Sequence, residues 1–102
     1  MTLQLQTQVQ KPSQILKNAK CIQMRNGFES DDGKAYCALG YLLKHYYGEV
    51  PEGISTLGPA LGKLTQEHLG GNQSIPSNIM RANDWHGWSF NQIGDYLESK
   101  GY

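Results

Sequence analysis

The sequence predicts an all-α domain: four or five short helices packed around a central helix over residues 35–47, with a short β-strand at the N-terminus. Three observations carry this. The densest apolar run, Tyr36-Cys37-Ala38-Leu39-Gly40-Tyr41-Leu42-Leu43, repeats its large side chains at helical spacing. Twelve glycines and four prolines divide the chain into short segments. Ser89, followed three positions on by Gln92, is a capping signature that opens a last amphipathic segment. The 102 residues suffice for one domain, which divides into an N-terminal strand or loose arm over 1–10 and a helical unit over 11–102.

Residues 1–10 alternate: Leu3, Leu5, Thr7 and Val9 face one way and Gln4, Gln6, Gln8 and Gln10 the other, the period of a strand. A lone strand needs an edge to pair with. That edge is either a short segment around Phe28 or residues 3–9 of a second copy, which would make a homodimer. Pro12 and Ser13 then open a helix whose stripe is Ile15, Leu16, Ala19 and Ile22, ending at Asn26-Gly27. Ser30-Asp31-Asp32-Gly33 reads as a turn, its carboxylates placed ahead of the central helix where the dipole favours negative charge. In the central helix Tyr36, Leu39, Leu43 and Tyr47 form the buried stripe, Gly40 marks the close approach of a neighbouring helix or ring, and Gly48 is the stop. A third helix starts at Thr56 or Gly58-Pro59 and ends at Gly70-Gly71. A fourth spans Ser74–Asn83, with Ile75, Ile79 and Ala82 inward. Asp84-Trp85-His86-Gly87-Trp88 is a tight aromatic turn, and the fifth helix buries Phe90, Ile93 and Leu97.

Composition narrows the function. Nine basic and nine acidic residues give zero formal net charge, so binding nucleic acid by bulk charge is disfavoured. No basic region followed by an apolar core marks a signal peptide, and no run approaches the ~20 apolar residues that cross a membrane. Cys21 and Cys37 lie in apolar contexts without a zinc spacing, which reads as two reduced thiols of a cytoplasmic protein, a disulfide between them being the alternative. Asp31 and Asp32 lack the further oxygen ligands of a calcium loop, and Gly58, Gly62 and Lys63 lack the spacing of a phosphate loop. Neither a metal nor a cofactor is expected.

Two segments carry a resemblance. Tyr36-Cys37-Ala38-Leu39-Gly40-Tyr41-Leu42, together with Ala82-Asn83-Asp84 and Ser89-Phe90-Asn91-Gln92-Ile93-Gly94-Asp95-Tyr96-Leu97-Glu98, resembles a group of small uncharacterised bacterial and bacteriophage proteins. These carry a Cys-Cys/Ala-Leu-Gly-x-Leu helix and, later, a Leu-Asn-Asp turn leading into Ser/Thr-Phe-x-x-Ile-Ala. This chain departs from them at Ala82, at Gly94 and in its unusually aromatic turn. The resemblance implies a helical architecture and brings no activity with it.

The polar pair Asn83-Asp84 either terminates the fourth helix or, with Trp85, His86, Trp88 and the nearby Arg81, lines a ligand pocket in which rings stack while Asp84 fixes a polar group. Cys37 admits a second reading, a nucleophile served by His86 or His68, its pKa lowered at a helix N-terminus. His45, two turns or ~12 Å further along the same helix, cannot serve it. The residues fit best a small non-enzymatic binding or regulatory domain that recognises a protein or small ligand through the turn over 84–88. The alternative is a cysteine-dependent enzyme. A nucleic-acid module presenting Ser89–Gly101 fits least, since that segment carries Asp95 and Glu98 against Lys100.

Overall fold

The computed structural model describes residues 10–102. The alternating strand and the homodimer edge over 3–9 therefore lie outside the described residues. Within them the chain is mostly helical: α1 (Pro12–Lys17), α2 (Ala38–Tyr47), α3 (Ile54–His68), α4 (Ser74–Asp84) and α5 (Phe90–Ser99), with a parallel pair of two-residue strands, β1 (Ile22–Gln23) and β2 (Ala35–Tyr36), between α1 and α2. Among the described residues no helix is long and apolar enough to cross a membrane.

The expected helix through Ile22 stops at Lys17, and Ile22 is 67% exposed. Its backbone has a better partner. Ile22 N–H donates to Lys34 O (3.3 Å) and Met24 N–H to Tyr36 O (2.9 Å), while Ser30 N–H donates to Ala35 O (2.9 Å) from the other side. Residues 35–37 are thus bonded on both edges, so the central helix begins at Ala38 rather than at residue 35. Cys37, in extended conformation, becomes its N-cap. Asp31 and Asp32 lose their expected place at a helix terminus. Asp32 instead accepts from Ser30 Oγ (2.6 Å) and Lys34 N–H (3.0 Å), bonds that hold its carboxyl below the usual range.

Leu39, Leu42 and Leu43 of α2 are fully buried, and α2 packs against α1, α3 and α4. Gly48, at φ 83°, closes it with a bond to Lys44 O. Helix α3 starts at Ile54, earlier than expected, and carries Pro59 inside. It is the least buried helix, with only Leu64 and Thr65 fully enclosed. Helix α5 closes the molecule against α1 and α4 and meets α2 where Phe90 stacks on Tyr41 at 6.0 Å. Lys17 of α1 pairs there with Asp95 (2.8 Å) and Glu98 (2.5 Å).

The start of α5 is as the sequence predicts. Ser89 Oγ accepts from Gln92 N–H (3.1 Å), and Gln92 Oε1 accepts from Ser89 N–H (2.8 Å). Ser89→Ala is expected to lower stability by about 1 kcal/mol, a fall in Tm of roughly 4–8 °C for a domain of this size, measurable by thermal circular dichroism.

Candidate functional site

Helix α4 has two faces. Ile75, Ile79, Ala82 and Asn83 are buried at helical spacing. Ser77, Met80, Arg81 and Asp84 lie on the opposite side. Asn72 Oδ1 accepts from Ser74 N–H (3.0 Å) and Ser74 Oγ (2.7 Å), which satisfies donors at the start of the helix. At its end Trp85 and His86 N–H both donate to Arg81 O (2.8 and 3.0 Å). Gly87 then turns at φ 69°, and Trp88 N–H reaches Ala82 O (3.0 Å). This tight hook places the two tryptophans.

Asn83, 1% exposed, acts inward. Its Oδ1 accepts from Gln23 Nε2 (2.8 Å) and Ala38 N–H (3.1 Å), and its Nδ2 donates to Met24 O (2.8 Å) and Asp84 Oδ1 (2.8 Å). Two acceptor and two donor positions are all that an amide has, so none is left for a ligand. Asp84 Oδ1 also accepts from Asn26 N–H (3.0 Å), and Gln23 Nε2 also donates to Trp88 O (2.8 Å). One buried side chain therefore ties β1, the start of α2 and the aromatic turn together.

The outward residues do not line one pocket, as the sequence led us to expect, but two hollows with Arg81 between them. Trp85, Met80, Ser77 and Asp84 share with Arg81 a hollow of about 210 Å³. Trp88, His86, Asn78 and Tyr96 share with it a second, of about 260 Å³, whose wall is fixed by Asn78 Nδ2 donating to Tyr96 OH (2.9 Å). Trp85 is 77% exposed, Met80 40% and Trp88 36%. Among the described residues Arg81 makes no ion pair. Sequence reasoning named both tryptophans, His86 and Arg81 but missed Ser77, Asn78, Met80 and Tyr96. The spacing of Ser77, Met80, Arg81 and Asp84, opposite the apolar stripe, was the signal available.

Cys37 lines a third hollow of about 290 Å³ with Phe28, Leu39, Ile79 and Asn83, which shares Met80 and Asp84 with the Trp85 hollow. Its Sγ accepts from Gly40 N–H at 3.3 Å. The pKa expected to fall at this helix N-terminus is instead pushed up to about 11, chiefly by burial, with the charge of Asp84 adding to it. The structure does not bring Cys37 to His68, which stacks on Tyr46 at 3.5 Å near the far end of α2. His86 lines the Trp88 hollow. A thiol that is protonated at neutral pH, in a hollow lined by no histidine, is a poor nucleophile.

Two outcomes follow for Cys37. Alkylation in the native state is expected to be slow and to become fast on unfolding, as read by mass spectrometry with and without denaturant. Because its folded pKa lies above the ordinary 9, the stability tied to the neutral thiol is complete below pH 9 and is lost as pH rises through about 11. Cys37→Ser keeps an oxygen to accept Gly40 N–H and should lessen the alkaline fall in Tm, to which Cys21, Tyr46 and Tyr47, their pKa values also raised by burial, still contribute.

Elsewhere Glu29, Asp31, Asp32 and Glu52 surround a wider hollow of about 520 Å³. Among the described residues no group of three or more His, Cys, Asp or Glu side chains is placed to hold a metal. The fold and site define a small helical domain presenting a tryptophan- and arginine-bearing helix face. No protein-family model, curated protein or solved structure matches the chain.

Proposed function

We propose that this chain is a small non-enzymatic binding domain that holds a partner protein on the outer face of α4 and the turn behind it. The observation that carries this is Trp85, 77% exposed beside the exposed Met80 and Arg81. Leaving an indole in water forgoes about 4 kcal/mol of burial, and Trp, Met and Arg are the residue types enriched where proteins meet. Size favours a protein over a small molecule. Each flanking hollow is below the ~300 Å³ at which drug-sized ligand sites begin, whereas a chain segment crossing α4 can fill both. A cytoplasmic setting suits the domain, since free thiols such as Cys21 and Cys37 persist there. The resemblance of 36–42, 82–84 and 89–98 to small bacterial and bacteriophage proteins brings no activity and leaves the partner open.

The test is a screen of small aromatic and aliphatic fragments read by backbone-amide and indole NMR signals. Hits are expected to perturb Met80, Arg81, Trp85 and Trp88 together and to lose their effect in Trp85→Ala. Hits that gather on the acidic hollow or around Cys37 would overturn the proposal.

A further inference from the structure

Charge is unevenly spread over this neutral chain. Four of its nine acidic residues, Glu29, Asp31, Asp32 and Glu52, surround one hollow away from the aromatic turn. The α4 face carries both signs, Arg81 and Asp84, with further cations close by. Arg81 lines both of its hollows and has no ion-pair partner among the described residues. Arg25 approaches the turn, its guanidinium nitrogen 3.7 Å from where a Cβ on Gly87 would sit. Lys100 stands 5.8 Å from the centre of the Tyr96 ring, beside the second hollow. The one carboxylate lining either hollow is Asp84, and its Oδ1 already accepts from Asn26 and Asn83.

We propose that the segment docked on α4 is a peptide carrying an acidic residue between two apolar ones. This rests on the reading of the α4 face as a partner-binding surface, and it specifies the partner's chemistry. The apolar–acidic–apolar order rests on the layout: a hollow lined by Trp85 and Met80, with Ser77 and Asp84, and a hollow lined by Trp88 and Tyr96 both share Arg81. Each hollow takes a large apolar side chain, and the fork of Arg81 between them takes a carboxylate in two parallel hydrogen bonds. A nucleic acid strand would instead need a row of cations along its phosphates, and here one arginine stands centrally.

The experiment selects binders from a displayed library of random linear peptides, using the full chain, Arg81→Glu and Trp85→Ala. Both substituted side chains are exposed, and circular dichroism confirms that each variant keeps its fold. Peptides from the full chain are expected to share Asp or Glu between apolar residues and to bind Arg81→Glu at least about tenfold more weakly. Selection on Arg81→Glu is expected to replace the acid with Lys or Arg. Peptides that require Trp85 but show no acidic preference overturn this inference and leave the binding face standing. Failure to select any peptide, or peptides indifferent to Trp85→Ala, overturns both.

Discussion

Replacing Asn83 with alanine is expected to destabilise the protein by about 3–5 kcal/mol, the largest effect expected of a polar substitution among the described residues. The side chain is 1% exposed and makes four hydrogen bonds to Gln23, Met24, Ala38 and Asp84. A typical bond of this kind contributes about 1 kcal/mol, but stranding a buried partner costs roughly 1–3 kcal/mol. Alanine would strand the buried Ala38 N–H at the start of α2 and the part-buried Met24 O beside β1. With 4–8 °C per kcal/mol for a domain of this size, Tm should fall by roughly 12–40 °C. Asn83→Asp separates geometry from chemistry. It keeps the volume but turns the donor into a second oxygen facing Met24 O and Asp84 Oδ1. It should therefore be almost as damaging at neutral pH and partly restored in acid, where a protonated carboxyl can donate again. Thermal melts across pH measure both. A melt of Asn83→Ala within a few degrees of the unsubstituted chain would show that the clamp does not hold the turn.

What could be read from the sequence follows from how far apart the partners lie. The capping pair Ser89 and Gln92, the stop at Gly48 and the inward stripe of Ile75, Ile79 and Ala82 are local signals, and each is where it was expected. The strands are not local. Ile22 continues a helical stripe in sequence, and only the backbone of Lys34 and Tyr36, a dozen residues on, pulls it out of that helix. Tyr36 was misplaced for the same reason: its buried ring fits the stripe of α2, but its carbonyl belongs to Met24. At the site, residue types named Trp85, His86, Trp88 and Arg81. They could not show that Asn83 is consumed by Gln23, 60 positions away, nor that Arg81 divides the surface in two. Chemistry was legible where it was written in neighbouring residues and hidden where the fold assembled it.

Gly40→Ala tests the assembled part directly, because the same substitution should have opposite signs at different glycines. In an open helix interior, alanine in place of glycine adds about 0.5–1 kcal/mol of stability. That is the expected result at Gly58 and Gly62 of α3, where an added Cβ meets nothing within 4 Å. At Gly40 the added Cβ would lie 1.9 Å from Phe28 O and 2.8 Å from Phe28 C, both backbone atoms that cannot rotate aside. Phe28 is held in place: its carbonyl accepts Cys37 N–H at 3.3 Å, and the adjoining Glu29 bridges to Tyr36. The segment must move off α2, with a cost of about 2–4 kcal/mol once overpacking and the lost bond are combined. The loss also reaches the site. The displaced loop carries Asn26, whose N–H fixes Asp84 at the base of the aromatic turn, so the Trp85 indole signal should shift in Gly40→Ala and stay put in Gly58→Ala. Denaturant melts of the three variants, with indole NMR, decide it. Equal gains in stability at all three glycines would mean that Phe28 does not lie against α2, and that the scaffold behind the α4 face is built differently.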